Sequence, residues 1–339
     1  MSQPLVLITG ATGFLGSHIL HQALEAGYPV RITTRPAKVD AMQKFLGDKV
    51  EVVGIVDAAT GDYTEALKGV GAIIHCAAPI ASKADPEGLL RGAIDGAMTI
   101  LKQAVAAGIK KIVITSSWAT VNFDPKVHFT DYVYTDKDWN PATREQALDG
   151  TRTQGWAYAA AKTIAEQEVW KFADEHPEID ITTINPPYLY GPFVPEFKLE
   201  KGDVLGLSTN GYFYRNVLPA HGGKLPAVQE VTPITIDVRD AAKAHILALR
   251  SPSTKEVGRK RLLIGGTNFT WKNAVDHLAS VRPALRARFP DTSEALSPTI
   301  AKIDNTRATA VLGLTFTDWR KTVEDTADTL LAVEKSWAA

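Results

Sequence analysis

The sequence predicts an α/β fold with a doubly wound parallel sheet, helices on both faces of the sheet, and a smaller C-terminal lobe. Strand patterns alternate with helix patterns through the first half of the chain, which is typical of repeated βα units. The first strand pattern ends in a glycine-rich turn and leads directly into a helix pattern. After residue 185 the composition becomes rich in proline, glycine and aromatic residues, which we interpret as an inserted lobe.

The individual elements follow from apolar periodicity and from the residues that end each pattern. A helix pattern begins at Phe14, and Gly108 ends a long helix as its C-cap. Residues 121–152 show no period, and a loop of this length in a compact domain is usually functional. The predicted strands are 5–9, 30–34, 50–54, 72–76, 111–116, 179–184, 233–237 and 261–264. The other predicted helices are 86–107, 153–175, 238–250, 270–279, 305–312 and 318–337.

The glycine-rich turn is the feature around which the other motifs are arranged. Residues 5–20 read LVLITGATGFLGSHIL, so a strand runs into Gly10 and a helix begins at Phe14. Gly10 permits the sharp turn, Gly13 lets the backbone approach a pyrophosphate, and Gly16 lets the helix lie close to the sheet. The free N–H groups and the positive dipole end of the helix would attract the anion.

We therefore predict a Rossmann domain that binds a dinucleotide, with an unliganded strand-to-helix turn as the alternative. The nucleotide-binding domain comprises residues 1–185 and 233–266, and the substrate-binding lobe comprises 186–232 and 267–339. In the turn, the residues predicted to contact the cofactor are Gly10, Thr12, Gly13, Phe14, Leu15 and Gly16.

The residues that follow the second strand favour NADP(H) over NAD. A carboxylate at this position would bind the ribose 2′-hydroxyl of NAD, but the chain reads TTRPAK from Thr33 and has no acid there. Arg35 could hold a 2′-phosphate and stack on the purine, with Lys38 nearby; the alternative is a solvated arginine on a loop. Asp57, after the third strand, could accept from the adenine amino group or belong to a surface turn. Ala77, after the fourth strand, completes the predicted cofactor contacts here.

A tyrosine and a lysine on the predicted helix 153–175 suggest acid–base chemistry. Tyr158 and Lys162 are four residues apart and therefore lie on one helix face. A phenol has a pKa of about 10 and is a poor catalyst at neutral pH, but a nearby ammonium group would lower that pKa. Tyr158 could then protonate a carbonyl oxygen as hydride reaches the carbon. Ser117, at the end of the fifth strand, could donate a hydrogen bond to the same oxygen, with Ser116 as a rival.

Four segments together resemble the extended short-chain dehydrogenases/reductases. They are TGATGFLG, VITSSWATVN, YAAAKTIAEQEVW and NPPYLYGP, and the resemblance covers residues 5–249. Within this family the chain is most similar to the dihydroflavonol-reductase-like proteins and the fungal NADPH-dependent ketone or aldehyde reductases, and DKDWNP also resembles the fungal group. Two features depart from the family pattern: alanine precedes Lys162, where serine is usual, and bulky Trp118 follows Ser117.

This resemblance implies NADP(H) as the cofactor, carbonyl reduction as the reaction, and a catalytic triad of Ser117, Tyr158 and Lys162. It also implies that Lys162 binds the nicotinamide ribose hydroxyls and that the backbone at Pro186 holds the nicotinamide carboxamide. Asn122 matches a position at which plant relatives contact substrate hydroxyls.

Residues 186–236 have few cations and many aromatic residues, which favours an apolar or aromatic carbonyl substrate. Residues 186–236 contain no paired arginines that could clamp the nucleoside diphosphate of a sugar nucleotide. The family's dehydratases carry an Asp-Glu pair shortly after the serine, where this chain reads WAT. The candidate substrate contacts, each with packing as the alternative, are Trp118, Asn122, Trp156 and Tyr188.

Two other functions remain open on this fold. One is a sugar-nucleotide epimerase or dehydratase, which would leave the total amount of cofactor unchanged. The other is a non-catalytic regulator that senses NADP. Such regulators commonly lack the acid tyrosine, whereas Tyr158 and Lys162 are both present in this chain.

The composition excludes several further functions. A net charge of -1 argues against a nucleic-acid-binding surface or a polybasic membrane anchor. No apolar run approaches the roughly 20 residues of a membrane helix. The single cysteine excludes an internal disulfide and fits a reducing compartment, so we expect a cytoplasmic protein. No histidine pattern predicts a metal site. We expect a small-molecule partner and a monomer or homodimer.

Overall fold

The computed structural model describes residues 3–77, 85–122, 124–220 and 222–338. The strands are β1 (Leu5–Thr9), β2 (Val30–Thr34), β3 (Val50–Gly54), β4 (Val70–His75), β5 (Lys111–Thr115), β6 (Val133–Tyr134), β7 (Asp180–Asn185), β8 (Tyr188–Tyr190), β9 (Thr235–Asp237), β10 (Lys260–Leu263) and β11 (Lys302–Ile303). The helices are α1 (Phe14–Glu25), α2 (Val39–Leu46), α3 (Thr64–Leu67), α4 (Pro86–Ala106), α5 (Pro125–His128), α6 (Arg144–Ala147), α7 (Gln154–Glu175), α8 (Asn210–Val217), α9 (Val238–Ala248), α10 (Thr254–Val257), α11 (Trp271–Val281), α12 (Thr306–Leu312) and α13 (Trp319–Ala338).

Within these described ranges, seven strands form one sheet in the order β10-β7-β5-β4-β1-β2-β3. Every pair of neighbours in it is parallel. The predicted doubly wound α/β fold is therefore confirmed. The order reverses between β1 and β4, because β2 and β3 extend the sheet on one side and β5, β7 and β10 extend it on the other. In such a sheet, ligands bind in the crevice above the carboxyl ends of the strands at this reversal.

Different helices cover the two faces of the sheet. Successive side chains of β1 point to opposite faces, so Val6 and Ile8 pack in a buried cluster with α1 and α9, whereas Leu7 packs with α4 and α7. All three side chains are fully buried. A strand that is buried on both faces reads as a continuous apolar run, which is why LVLIT predicts a parallel strand.

The two long helices α4 and α7 begin at residues with N-cap chemistry. Pro86 is the first residue of α4, and the side chain of Asp85 accepts a hydrogen bond from the N–H of Gly88. The side chain of Thr153 accepts from the N–H of Trp156 at 3.3 Å, and α7 begins at the next residue. The sequence therefore predicts the start of α7 to within one residue.

The loop 121–152 contains short elements that no periodicity predicts. They are α5, β6 and α6, which are two to four residues long. β6 is held by parallel pairing with β11, which lies far away in the sequence. Elements of this length depend on such distant partners, so the local pattern of apolar residues contains no signal for them.

The C-terminal lobe has a buried cluster of its own, in which Tyr190, Phe213 and Trp271 pack together. One segment that the sequence assigns to the lobe lies elsewhere. Ala308 and Leu312 of α12 belong to the buried cluster of the main sheet, because α12 packs against β10 and α9. The domain boundaries stay a prediction. Within them, α12 packs with the main sheet and not with the lobe to which the sequence assigns it.

Candidate active site

Three glycines shape the turn after β1, each for a different reason. Gly10 has a φ of 72°, and a Cβ added there would lie 2.6 Å from the backbone nitrogen of Ala77. A Cβ on Gly16 would overlap the carbonyl oxygen of Gly10, so α1 starts directly against the turn. A Cβ on Gly13 would meet nothing closer than that same oxygen, at 3.4 Å. The chain itself therefore requires Gly10 and Gly16, whereas the space beside Gly13 is open.

The N-terminus of α1 faces this open space with uncapped backbone. Gly13 is the N-cap residue, no side chain caps the helix, and the first turn contains no acidic residue. Thr12 is exposed, while Phe14 and Leu15 are buried. The first N–H groups of a helix have no partner within the helix, so this backbone fits a pyrophosphate held by N–H groups instead of side chains.

Replacing Gly13 by alanine should separate cofactor binding from stability. Gly13 has a φ of -83°, which alanine adopts without strain. We expect the Tm of the cofactor-free protein to stay within about 2 °C, because such surface substitutions cost little. The Kd for NADPH should rise about tenfold or more, because the added methyl group would occupy the pyrophosphate position. Thermal unfolding and a binding titration measure the two effects. Gly16→Ala, which should lower the Tm, is the contrast, and an unchanged Kd would remove Gly13 from the cofactor site.

The residues predicted to bind the adenosine half of the cofactor lie on the surface after β2 and β3. Arg35 and Lys38 are exposed. Asp57 is also exposed, and its Oδ1 accepts from the N–H groups of Ala59 at 2.6 Å and Thr60 at 3.3 Å. The described contacts of Asp57 are thus those of a turn residue, and its contact with adenine stays a prediction. The exposed Arg35 guanidinium fits a 2′-phosphate.

The three predicted catalytic residues lie where α7 passes the carboxyl end of β5. Lys162 Nζ donates to the carbonyl oxygen of Thr115 at 3.1 Å, which ties the helix to the last residue of β5. Ser117 follows the strand, and its Oγ accepts from the N–H of Ala119 at 3.1 Å. Burial raises the pKa of the Tyr158 phenol, and the nearby Ser117 hydroxyl acts in the opposite direction. The structure therefore brings the serine, the tyrosine and the lysine together.

Ser116, the alternative to Ser117 as the catalytic serine, is buried in the interior. It is 6% exposed, and its Oγ donates to Oε2 of Glu166 at 2.6 Å. Its N–H donates to Ile184, which continues the pairing between β5 and β7. Successive side chains of an extended chain point in opposite directions, so the burial of Ser116 leaves Ser117 on the side of the Tyr158 phenol.

Burial sets the protonation of the candidate acid. It raises the pKa of Tyr158 above the ordinary value, with Ser117 acting in the opposite direction and Cys76 in the same one. The causes of this shift are burial, Ser117 and Cys76, so the expectation that Lys162 lowers the pKa of the phenol stays a prediction. Burial also lowers the pKa of Lys162, against the opposing effects of Glu166 and Cys76. At neutral pH the Tyr158 phenol therefore holds its proton, as a general acid must.

Two of the predicted substrate contacts lie in the loop after Ser117. Trp118 is only 3% exposed, and its ring packs edge-on against Tyr134 with the centroids 5.3 Å apart and lies 4.9 Å from His128. Asn122 is half-buried, and its Nδ2 donates to the Tyr134 hydroxyl at 3.2 Å. The described contacts of Trp118 are packing contacts, and a role for either residue in binding substrate stays a prediction.

The other two predicted substrate contacts, Trp156 and Tyr188, are half-buried. The guanidinium of Arg152 lies over the Trp156 ring at 4.9 Å from its centroid. The Tyr188 ring meets that of Tyr212 edge-on at 6.2 Å. Burial raises the pKa of Tyr188 to about 12, with further contributions from Tyr212 and Tyr158. A role for Tyr188 or Trp156 in binding substrate stays a prediction.

Pro186 follows β7, and its carbonyl oxygen accepts from the N–H of Trp118 at 2.9 Å. Pro186 and Pro187 have no N–H, and the N–H of Tyr188 donates to Ile234 at 3.3 Å. A carboxamide bound at this backbone would therefore donate to the carbonyl oxygen of Pro186, which keeps a second lone pair.

A buried carboxylate lies below the candidate catalytic residues, and no motif predicts it. Glu166 follows Lys162 by one helical turn, and Nε of Arg261 pairs with it at 2.8 Å. A signal for this pair exists in the sequence. Glu166 lies on the apolar face of α7, and Arg261 lies inside the short buried strand KRLL. Charged residues are almost never fully buried unless they are paired, so these two positions point to each other.

Two classes of feature are absent from the described part of the chain. Its His, Cys, Asp and Glu side chains form no group of three or more that could hold a metal ion. None of its helices combines the length and the apolar character needed to cross a bilayer.

Comparisons with known proteins show the family of this chain. Residues 6–265 match the NAD dependent epimerase/dehydratase family. An uncharacterized oxidoreductase of Schizosaccharomyces pombe is 38% identical over 90% of this chain and 90% of its own length. The ketoreductase azaE of Aspergillus niger is 32% identical over 96% of this chain and 97% of its own. The solved structure of the yeast methylglyoxal/isovaleraldehyde reductase Gre2, complexed with NADPH, is 25% identical and matches with a TM-score of 0.80 over 98% of this chain and 99% of its own.

Proposed function

The chain belongs to the NAD dependent epimerase/dehydratase family, and from this premise we propose that it is an NADPH-dependent carbonyl reductase. It transfers hydride to the carbonyl carbon of a ketone or aldehyde and gives an alcohol. NADPH supplies the hydride when it is bound, and the chain supplies the proton. The names of the Aspergillus niger ketoreductase and the yeast reductase support this reaction class.

The observation that supports the proposal most is that the acid and the dinucleotide turn meet at one edge of the sheet. Ala77 lies beside Gly10 of the turn. His75 and Ala77, at the end of β4, also line one cavity together with Lys162. Lys162 lies one helical turn after Tyr158. The end of β4 therefore joins the predicted pyrophosphate position to the candidate acid, at the reversal of strand order where such folds bind their ligands.

In this mechanism Tyr158 is the general acid. Its phenol gives a proton to the carbonyl oxygen while hydride reaches the carbonyl carbon, so that the alcohol O–H bond forms as the phenol O–H bond breaks. The Lys162 ammonium stabilises the phenolate that remains, and Ser117 donates a hydrogen bond to the oxygen as its negative charge develops. Lys162 would hold the nicotinamide ribose of bound NADPH through the hydrogen atoms that Thr115 does not use.

Three of the four cations of residues 186–236 argue against a sugar-nucleotide epimerase or dehydratase. Lys198 pairs with Glu200 at 3.4 Å, and Lys224 pairs with Glu294. The Arg215 guanidinium lies over an aromatic ring, 5.1 Å from its centroid. A nucleoside diphosphate would have to break these contacts to gain a cationic clamp. The half-buried aromatic side chains of the lobe fit an apolar or aromatic carbonyl compound better.

A screen of NADPH oxidation over aliphatic, aryl and dicarbonyl compounds tests the proposed reaction. We expect one NADPH to be consumed for each molecule of alcohol that forms, with apolar and aromatic carbonyl compounds reduced best. Tight binding of NADP without turnover of any compound would instead support a non-catalytic regulator that senses NADP. Isomerisation of a sugar nucleotide with no net change in cofactor would support the epimerase.

Replacing Arg35 by aspartate should shift the cofactor preference toward NADH. A carboxylate at this position repels the 2′-phosphate and can bind the 2′-hydroxyl of NAD. The NADPH/NADH ratio of kcat/KM should fall by roughly 10- to 100-fold, the size of a lost charge-assisted contact. Lys49→Asp, which makes the same change of charge at an exposed position before β3, is the control. An unchanged ratio in the Arg35 variant would remove this residue from the phosphate site.

The location and the assembly of the chain are proposals of the same kind. The single cysteine supports a cytoplasmic location. A monomer or homodimer is expected, and light scattering of the purified protein measures which of the two forms.

A further inference from the structure

A buried ion pair lies directly beneath the proposed catalytic residues. Only 4% of the Arg261 side chain and 1% of the Glu166 side chain are exposed, and Arg261 Nε donates to Glu166 Oε1 at 2.8 Å. Burying two charges is costly unless their remaining hydrogen-bonding groups are also satisfied. The contacts of both side chains therefore show what the pair holds in place.

Both oxygens of Glu166 accept hydrogen bonds from neighbouring elements. Oε2 accepts from Ser116 Oγ at 2.6 Å and from Asn185 Nδ2 at 2.7 Å, so it joins the ends of β5 and β7. Besides Arg261, the donors to Oε1 are Trp170 Nε1 at 3.2 Å and Thr183 Oγ1 at 3.2 Å. These bonds, together with Arg261, hold the pKa of Glu166 below its usual value although burial alone would raise it.

The free ends of the Arg261 guanidinium bind the loop that follows Ser117. Nη1 donates to the carbonyl oxygens of Asp136 and Asp138, each at 2.7 Å, and Nη2 donates to Thr120 Oγ1 at 2.9 Å. The guanidinium also lies over the Trp139 ring, 3.8 Å from its centroid. Arg261 therefore connects the buried carboxylate of Glu166 to the loop 118–140.

These contacts enclose Ser117 from both sides along the chain. Ser116, which precedes it, is bonded to Glu166, and Thr120, which follows it, is bonded to Arg261. Thr120 Oγ1 in turn donates to the carbonyl oxygen of Ser117 at 2.9 Å, and Asn185 Nδ2 reaches that oxygen at 3.3 Å. The groups that fix the position of the Ser117 backbone are thus all connected by hydrogen bonds to the Glu166 carboxylate.

Lys162 lies one helical turn before Glu166 on α7, and both side chains line one cavity. The titratable groups that act on Lys162 or respond to it are Glu166 on its own helix, His75 at the end of β4 and Cys76 directly after it. His75 is neutral at pH 7, since burial and Lys162 lower its pKa to about 3, and burial raises the pKa of the Cys76 thiol. Tyr158 on the same helix is protonated as well. Glu166 is therefore the anion among these described groups.

We propose that Glu166 is a positioning residue for carbonyl reduction: it holds the Ser117 segment in place and supplies the negative charge that Lys162 faces. This inference rests on the proposed function, in which Lys162 must be an ammonium group and Ser117 must meet the carbonyl oxygen. Arg261 compensates the charge of Glu166 and connects this carboxylate to the loop that follows Ser117.

Glu166→Gln tests both parts of the proposal. The kcat should fall roughly 10- to 100-fold through misplacement of Ser117, with a smaller change in KM for the carbonyl compound. Without the anion, Lys162 loses its proton at a lower pH, so the basic limb of the kcat profile should move down by about one pH unit. Glu166→Asp keeps the charge and should restore the position of this limb, even though its kcat stays reduced.

The double variant Glu166→Gln/Arg261→Met separates positioning from stability. It removes the unpaired guanidinium and should regain part of the Tm lost in Glu166→Gln, but its basic limb should stay shifted. Asp180→Asn is the matched control, because Asp180 pairs with Lys111 and Lys260 at 2.7 Å each at the other end of β7. It should lower the Tm and leave the limb in place. The proposal would be overturned if the basic limb of the kcat profile of Glu166→Gln or of the double variant lay at the same pH as that of the wild type.

A measurement without turnover distinguishes this inference from the proposed function. The ε-carbon of Lys162, labelled with ¹³C and assigned by its loss in Lys162→Met, reports the pKa of the amine by NMR titration. We expect a lower pKa in Glu166→Gln than in the wild type, and the same pKa in both would overturn the role of Glu166. If the wild-type protein reduces no carbonyl compound, the proposed function is overturned. The pKa of Lys162 in the wild type and in Glu166→Gln can still be compared, so the role of Glu166 is tested separately.

Discussion

Tyr158→Phe should lower kcat for carbonyl reduction about 10²- to 10⁴-fold, the usual contribution of a general acid. The variant removes one hydroxyl group and keeps the ring, so the packing against α4 and α6 should persist. The Kd for NADPH should stay within about twofold of the wild-type value, because the proposed cofactor contacts depend on the glycine turn, Arg35 and Lys162. The effect is large because burial keeps the Tyr158 phenol protonated, and no second general acid is proposed.

Steady-state kinetics and a binding titration measure the two quantities. Tyr28→Phe is the matched control, since the Tyr28 hydroxyl accepts from Arg250 Nε at 2.7 Å, outside the proposed site. This control should keep the wild-type kcat. A Tyr158→Phe enzyme that reduces its substrate at a near wild-type rate would end the proposed mechanism.

Lys162→Met should affect catalysis and cofactor binding together, in contrast to Tyr158→Phe. The phenolate would lose the neighbouring cation, so kcat should fall about 10²- to 10⁴-fold. Lys162 Nζ uses one of its three hydrogen atoms on Thr115, at 3.1 Å, and the others remain for the ribose hydroxyls. Loss of such a charge-assisted bond should raise the Kd for NADPH by about tenfold or more.

The Tm of Lys162→Met should not fall in parallel, because methionine removes the cost of burying an ammonium group. Lys260→Met provides the control. Lys260 is also buried, and burial lowers its pKa to about 8, but it lies among Asp180, Ser251 and Pro252 at the amino end of the sheet. It should retain the wild-type kcat. An unchanged Kd for NADPH in Lys162→Met would show that this lysine does not bind the ribose.

Local patterns predict the parts of the site that depend on neighbours in sequence. The turn at Gly10 and the helix that follows it need only a strand, three glycines and the helix period. The pair Tyr158 and Lys162 needs only the spacing of an α-helix. The absence of an acid beside Arg35 likewise reads directly from the chain, and the NADPH in the solved structure of the yeast reductase agrees with the cofactor that it indicates.

The remaining features depend on contacts between distant segments. The choice of Ser117 over Ser116 follows from the hydrogen bond of Ser116 to Glu166, which lies on another element. The pKa of Tyr158 rises because surrounding segments bury the phenol, so the spacing to Lys162 could not give its direction. Trp118 packs against Tyr134 instead of standing open, and only the folded loop shows this.

By itself, the sequence determined the doubly wound sheet, the dinucleotide turn, the preference for NADP and the identity of the candidate acid. Each of these depends on covalent geometry and on a period of a few residues. The tertiary structure alone decided which serine faces the acid, which way the pKa of the phenol moves, and where α12 packs. Burial and long-range hydrogen bonds arise only when separate segments meet, and no local pattern contains them.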